Sequence, residues 1–155
     1  MNTLNTKITQ LKYIFIALLT VAFISCKNAN TTNTSVGNLT SKMTKPDKKK
    51  YFDSSNSVVY EVKYKDDGFK LRTASSDLLW KVKLYDSKVK ISDNEENLNP
   101  YEIKKMDTGE SKLEKNDMTI ERSTTEDARN LVYKIDEIPQ DQQEILISEL
   151  KEKGF

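Results

Sequence analysis

The sequence predicts an α+β fold, in which a small antiparallel β-meander, roll or barrel of about seven short strands precedes two C-terminal amphipathic helices. Two observations lead to this prediction. Between residues 57 and 122, apolar and polar residues alternate with the period of two that is typical of half-buried strands. After residue 123, apolar residues recur at the spacing of one helix face. The strands are therefore expected within 57–122 and the helices within 124–153.

Four strands are expected between residues 57 and 92, where tight polar turns separate alternating runs. The tripeptide Asp66-Asp67-Gly68 lies between two such runs and is a strong signal for a hairpin turn. Trp80 alternates with Leu78 and Val82, so it is expected in the core. Three weaker runs near residues 101–103, 113 and 118–120 complete the predicted sheet.

Two helices are expected after the strands. The segment 123–126, Ser-Thr-Thr-Glu, matches a capping box and places the first helix start at residue 124. Pro139 ends this helix and begins the next, and Gly154 ends the second helix. The apolar faces consist of Ala128, Leu131, Val132 and Ile135 in the first helix, and of Ile138, Ile145, Leu146 and Leu150 in the second. Both helices are expected to pack on the sheet or cover one end of it, the alternative being that they bind another protein.

The N-terminal residues 1–25 have the pattern of a secretory signal. Lys7 and Lys12 precede an apolar run over residues 13–24, and the segment contains no acidic residue. That run is shorter than the roughly 20 apolar residues of a membrane-spanning helix, and it fits the apolar core of a signal peptide. We therefore expect residues 1–25 to be a signal peptide that is removed, the alternative being a short membrane anchor.

The signal ends in Phe23-Ile24-Ser25-Cys26, which resembles the lipobox of bacterial lipoproteins. A bulky apolar residue stands three positions before the cysteine and a small residue directly before it. Cys26 is also the only cysteine of the chain. The resemblance implies cleavage between Ser25 and Cys26, and attachment of acyl chains such as palmitate to Cys26.

Residues 26–50 are predicted to be a disordered tether and residues 51–155 the folded domain. Residues 27–50 are rich in Lys, Asn and Thr, with six Lys and one Asp, and contain few large apolar residues. Residues 51–155 are acidic, with 17 basic and 23 acidic side chains. The tether is interpreted as a solvated spacer, the alternative being that its lysines attract anionic lipid.

The polar face of the predicted strands is dominated by cations, namely Lys63, Lys65, Lys70, Arg72, Lys81, Lys83, Lys88 and Lys90. Cations on solvent-facing strands keep a sheet soluble and oppose edge-to-edge aggregation, and this is the favoured interpretation. The alternative is a cationic surface for an anionic partner. Nucleic acid is not expected as that partner, because the folded part is acidic and lies outside the cytoplasm.

Several kinds of chemistry are excluded or disfavoured by composition. The chain has no His, one Cys and four scattered Gly, which excludes His-based triads and Cys-rich zinc sites and leaves no Gly-rich phosphate loop. No catalytic residue and no cofactor are predicted. The acidic loop with Asp93, Glu95 and Asn97 offers oxygen ligands suited to Ca²⁺, the alternative being an ordinary polar turn.

A second resemblance concerns the predicted sheet. The segment 69–73, Phe-Lys-Leu-Arg-Thr, followed by 78–83, Leu-Leu-Trp-Lys-Val-Lys, resembles a strand–turn–strand unit of tubby-C-terminal-like β-domains. Some members of that family are associated with membrane lipids, and the resemblance implies such a β-domain here.

Together these features predict a lipoprotein of the bacterial cell envelope with a small non-catalytic binding or scaffolding domain. Lys27 replaces the Asp that marks inner-membrane retention in lipoproteins, so the resemblance implies the outer membrane, with the domain facing the periplasm. The expected partners are membrane lipid, through acylated Cys26, and an envelope protein. Two alternatives are a ligand or ion carrier that uses the 93–97 loop or a barrel interior, and a small hydrolase.

Overall fold

The computed structural model describes residues 34–124 and 127–155. Ten strands form one antiparallel sheet in which each strand pairs with the one before it in the chain. The strands are β1 (Thr34–Val36), β2 (Leu39–Lys45), β3 (Lys48–Phe52), β4 (Val58–Lys65), β5 (Gly68–Thr73), β6 (Leu78–Tyr85), β7 (Lys88–Ser92), β8 (Tyr101–Lys105), β9 (Ser111–Lys115) and β10 (Met118–Ser123). A 3₁₀ helix (Ala128–Lys134) and an α-helix, α1 (Gln140–Glu152), follow. The predicted α+β class and antiparallel meander are confirmed, and the sheet is open, with β1 and β10 at its edges.

Three strands lie in the segment predicted to be a tether. The seven predicted strands correspond to β4–β10, whereas β1, β2 and most of β3 lie within residues 34–50. The prediction of disorder up to residue 50, with a domain that begins at residue 51, is therefore wrong for these residues. The physical reason is visible in β3, where Lys49 and Tyr51 are buried while Lys48 and Lys50 are half-buried on the other face. A lysine-rich run can thus alternate like any half-buried strand when its inward lysine has a partner.

One face of the sheet is buried beneath the two helices and forms the core with them. The side chains with no exposed surface include Tyr51, Val62, Leu71, Val89, Ile91, Ile103 and Leu113 from the sheet, and Val132, Ile135, Ile145, Leu146 and Leu150 from the helical part. Trp80 is buried as predicted, and its Nε1 donates a hydrogen bond to Gln142 Oε1 on α1 at 2.7 Å. The helices therefore dock on their own sheet, as expected.

A bulge in β6 changes which leucine reaches the core. Leu71 lies opposite Trp80, but Arg72 lies opposite Leu78, so Leu79 is an extra residue in the ladder. Leu79 packs against the core in the position that the alternation predicted for Leu78. Strict alternation fails at this point because a bulge shifts the side-chain phase by one residue.

The first helical segment differs from its prediction in type and start. It is a 3₁₀ helix capped by Asp127, whose side chain accepts a hydrogen bond from Arg129 N at 3.0 Å. Ser123 is the last residue of β10, so the predicted capping box and the start at residue 124 are wrong. Thr125 and Glu126 lie outside the described residues. The apolar residues assigned to the helix faces are nevertheless buried.

The N-terminal predictions lie outside the described residues. They comprise the signal peptide, the cleavage position after Ser25 and the lipidation of Cys26. In the part of the chain that is described, no helix combines the length and apolarity required to span a membrane.

Candidate functional site

The outer face of the sheet between β2 and β6 carries a dense group of cations. We call it the cationic face; it comprises Lys42, Lys45, Lys48, Lys50, Lys63, Lys65, Lys70, Arg72, Lys81 and Lys83. Each of these residues lies on the outward-facing side of a strand whose alternate side chains face the core. The hydrophobic core therefore fixes where the cations lie.

Four lysines of this face form a row across four strands. Lys48 lies opposite Lys63, Lys63 opposite Lys70, and Lys70 opposite Lys81. Neighbouring strands are about 4.8 Å apart, so the stems of Lys63 and Lys70 each stand beside two other lysines. Like charges directly opposite one another destabilise a sheet. The fold thus keeps this arrangement at a cost to its own stability.

Acidic partners compensate only part of the cationic face. Lys48 forms an ion pair with Glu61 at 2.6 Å, Arg72 pairs with Glu95 at 3.0 Å, and Lys83 pairs with Asp67 at 3.2 Å. Glu95 also accepts from Lys70, and its backbone oxygen accepts from Lys81. Among residues 34–124 and 127–155, no carboxylate forms an ion pair with Lys42, Lys45, Lys50, Lys63 or Lys65. Positive charge therefore remains in excess around the row.

A second cation row on β7–β10 differs because three of its four cations form ion pairs. It consists of Lys88, Lys104, Lys112 and Arg122, again opposite one another. Glu102 pairs with Lys88 at 3.5 Å and Lys104 at 3.0 Å, and Glu114 pairs with Lys104 and Lys112, each at 2.5 Å. Partial burial opposes ionisation of Glu102, but hydrogen bonds from Lys90 and Lys104 outweigh it and lower the pKa of Glu102 to about 2. All three lysines of this row form ion pairs, whereas in the row on β3–β6 only Lys48 and Lys70 have carboxylate partners among the described residues.

The predicted calcium loop lies beside the cationic face, and its side chains have protein partners. Glu95 bonds to Lys70 and Arg72, and the hydrogen bond from Lys70 lowers the pKa of Glu95. Asn97 accepts from Ser92 Oγ at 2.8 Å, and Asp93 accepts from the Asn94 amide at 3.0 Å. No group of three potential metal ligands occurs in the described residues. Calcium binding by this loop stays a prediction. In this structure the Glu95 carboxylate forms ion pairs with Lys70 and Arg72 of the cationic face.

The interior of the sheet offers little space for a ligand. A cavity of about 60 Å³ adjoins Trp80, Tyr101, Ser92 and Asn99. Phe69 is 1% exposed and belongs to the core. A volume this small is on the scale of one or two water molecules. The outer surface of the sheet is therefore a better candidate site than its interior.

A buried polar cluster fixes the strands that carry the row of lysines. Glu149 of α1 has no exposed surface and accepts hydrogen bonds from Tyr51 at 2.5 Å, Tyr64 at 2.7 Å and Lys49 at 2.9 Å. Lys49 also donates to Glu152, at 2.6 Å and 2.7 Å to its two oxygens. Burial, followed by the negative charge of Glu149, raises the pKa of Tyr51 and Tyr64, so both hydroxyls remain donors. Glu149, Tyr51 and Lys49 are buried at the centre of the cluster, Glu152 lies at its partly exposed edge, and the cluster holds β3 and β4 against α1.

Sequence reasoning missed the part of the cationic face that lies on β2 and β3. The sequence places Lys42, Lys48 and Lys50 in the tether, whereas in the structure Lys48 lies opposite Lys63 and Lys42 lies opposite Lys50 on the same face. The signals that could have found them are two short turn sequences, Gly37-Asn38 and Pro46-Asp47, which lie at the β1–β2 and β2–β3 connections.

Comparison with other proteins adds no assignment, since no family model, no curated protein and no solved structure matches the chain.

Proposed function

We propose that this protein is a lipoprotein of the bacterial cell envelope, anchored through acylated Cys26 in the outer membrane and facing the periplasm. Its folded part is a small non-catalytic domain that binds an anionic partner through the cationic face. The anchor rests on the lipobox-like sequence Phe23-Ile24-Ser25-Cys26, which follows an apolar signal core and contains the only cysteine.

The observation that carries the binding role is the row of Lys48, Lys63, Lys70 and Lys81. Placing four cations side by side disfavours folding, and carboxylates at the positions occupied by Lys63 or Lys81 would relieve the repulsion. In the second row on β7–β10, Lys88, Lys104 and Lys112 all have a carboxylate partner, whereas the described residues supply none to Lys63 or Lys81. Lysines that repel one another and have no carboxylate partner support a role in recognition.

The anchor is tested by metabolic labelling with a palmitate analogue, together with membrane fractionation. Wild-type protein is expected to carry the label and to sediment with membranes, and Cys26→Ala to lose both. Lys27→Ala, next to the modified residue, serves as the matched control and is expected to keep the label.

Absence of label on the wild-type chain would contradict lipidation, and retention of label by Cys26→Ala would contradict Cys26 as its site. The location of the domain is tested separately, by protease digestion of intact cells and of cells with a permeabilised outer membrane. Degradation of the domain in intact cells would contradict a periplasmic orientation.

A further inference from the structure

The described structure places the folded domain much closer to the proposed anchor than the sequence suggested. Only residues 27–33 separate Cys26 from Thr34, the first residue of β1. Seven residues span at most about 25 Å when fully extended. A domain lipidated at Cys26 is therefore confined to the immediate neighbourhood of the membrane surface.

The excess of positive charge lies in the half of the sheet that the anchor reaches first. β1 is the edge strand, and β2–β6 follow it at about 4.8 Å per strand. The row on β7–β10, whose three lysines all form ion pairs, lies in the half farther from the anchor. The excess positive charge of the outer face is therefore greater in the half of the sheet nearer to the anchor than in the half farther from it.

The opposite side of the domain has the opposite sign. At its surface the helix α1 carries Asp141, Glu144 and Glu152 against Lys151, while Glu149 is buried and paired with Lys49. An anionic surface close to the domain would therefore attract the outer face of the sheet and repel the helical side. This charge polarity selects one orientation of the domain on such a surface.

We infer that the cationic face docks on anionic lipid headgroups of the membrane that holds Cys26, so that the domain lies flat on the leaflet with α1 directed away from it. This inference rests on the proposed lipid anchor. It names the lipid headgroups themselves as the anionic partner, because they are the one polyanion that a seven-residue connection keeps permanently within reach.

The expected strength follows from charge alone. A lysine close to an anionic leaflet contributes roughly a fivefold preference for the bound state, and the effect falls off within a Debye length of about 10 Å at moderate salt. The lysines without an ion pair, Lys42, Lys45, Lys50, Lys63 and Lys65, would together favour the docked orientation by roughly three thousandfold. Such a preference is large for a tethered domain, because the anchor already removes most of the translational cost of binding.

The test is lysine footprinting of the mature lipidated protein, purified from membranes and reconstituted into vesicles. One vesicle preparation contains phosphatidylcholine alone, and the other contains phosphatidylcholine and phosphatidylglycerol in equal parts. A water-soluble acetylating ester labels accessible lysines, and mass spectrometry reads the modification of each one. We expect Lys50, Lys63 and Lys65 to react at least about threefold more slowly on the anionic vesicles, and Lys134 and Lys151 to react equally on both. High salt should abolish the difference.

A pair of variants makes the assignment specific. In Lys50→Gln/Lys63→Gln, protection of the remaining Lys42 and Lys65 should fall at least several-fold on anionic vesicles. The matched control Lys134→Gln/Lys151→Gln, on the helical side, should leave that protection unchanged. Circular dichroism of both variants verifies that the fold is retained.

Absence of the lipid anchor and absence of headgroup docking would give different results. If the protein separates from phosphatidylcholine vesicles during flotation, the lipid anchor is contradicted, and the docking inference with it. If the protein floats with both vesicles but its lysines react equally on them, the anchor stands and headgroup docking is overturned. Protection that requires an added soluble polyanion, such as polyglutamate, would likewise overturn the headgroup assignment in favour of an acidic protein partner.

Discussion

Lys49 and Glu149 lie one hundred residues apart in the chain and meet beneath α1, with 2.9 Å between Lys49 Nζ and Glu149 Oε1. Neither side chain is more than 6% exposed. The pair joins the third strand to the last helix and makes the N-terminal strands part of the fold. It also explains why a lysine can face the core in a segment as basic as β3, since a buried charge requires a hydrogen-bonded partner of opposite sign.

Removal of the Glu149 carboxylate should destabilise the domain strongly. In Glu149→Ala, Tyr51 loses the acceptor of its hydroxyl and Lys49 keeps only Glu152, which is partly exposed. Breaking a buried ion pair by removing one partner typically costs about 3–5 kcal/mol. We expect a loss of unfolding free energy in that range, measured by urea denaturation followed by circular dichroism.

Glu144→Gln is the matched control for this prediction. Glu144 lies on the same helix and accepts an exposed hydrogen bond from Gln140 at 3.2 Å. The control should change the unfolding free energy by no more than about 0.5 kcal/mol. Equal effects of the two substitutions would show that the buried cluster does not hold α1 on the sheet.

The same cluster predicts that stability declines in alkaline solution. Burial and the nearby Glu149 charge raise the pKa of Tyr51 and of Tyr64 above the ordinary tyrosine value of 10.0. Above pH 10, the unfolded chain loses these protons while the folded chain retains them, so the folded state becomes relatively less stable as pH rises. Below pH 10 the contribution is fully present. Tyr51 alone should lower the unfolding free energy by up to about 1.4 kcal/mol per pH unit above pH 10.

The tyrosine contribution is isolated by comparing two phenylalanine variants. Tyr51→Phe should lose about 1.5–3 kcal/mol at neutral pH, as expected for a hydrogen bond to a charged group, and should show a shallower decline above pH 10. Tyr133→Phe, at a site that is 46% exposed, should keep the wild-type slope. Parallel slopes for wild type and Tyr51→Phe between pH 10 and the alkaline unfolding limit would refute the argument.

The sequence predicted the central and C-terminal parts of this fold because their signals are local. Alternation in β4–β10, the helix spacing around Leu146 and the placement of Trp80 in the core all follow from periodicity within a few residues. Exceptions arise where a bulge shifts the phase at Leu79, or where capping by Asp127 replaces the box that begins at Ser123.

The N-terminal strands and most of the candidate site could not be predicted in the same way. Lys49 resembles a solvated tether residue until its partner Glu149 is known, and that pairing spans the whole domain. The row centred on Lys63 likewise depends on the register of four strands, in which a shift by one residue would scatter the charges over both faces. Long-range register, rather than composition, distinguishes a cationic site from a merely soluble face.

Gly68 should be intolerant of any side chain because the backbone of β6 lies directly above it. A Cβ at this position would lie 2.0 Å from the Val82 carbonyl oxygen, and its φ is +153°. We expect Gly68→Ala to cost at least about 2 kcal/mol of unfolding free energy, since the β5–β6 ladder must move to admit the methyl group.

Gly109 provides the comparison for Gly68. It also has a positive φ, of +84°, but a Cβ there would have no heavy atom within 4 Å. Gly109→Ala should therefore cost only the backbone strain of about 1–2 kcal/mol. A thermal melt that ranks Gly109→Ala below Gly68→Ala in stability would contradict the close approach of β5 and β6.

Neutralising one lysine in each cation row should change stability in opposite directions. Lys63 stands between Lys48 and Lys70, so Lys63→Gln removes two repulsions and should raise the unfolding free energy by about 0.2–1 kcal/mol. Lys104 bonds to Glu102 at 3.0 Å and to Glu114 at 2.5 Å, and these hydrogen bonds raise its pKa. Lys104→Gln should therefore lower the unfolding free energy, by up to about 1 kcal/mol for these partly exposed pairs.

The contrast between the two rows is measured by urea denaturation of both variants at low and at high salt. Added salt should reduce both effects, since screening weakens repulsion and attraction alike. If Lys63→Gln destabilises the domain as Lys104→Gln does, the row on β3–β6 contributes to folding, and its charges do not require a binding partner to explain them. If Lys63→Gln is stabilising, the native lysine is maintained against the stability of the fold, which is the behaviour expected of a residue retained for binding.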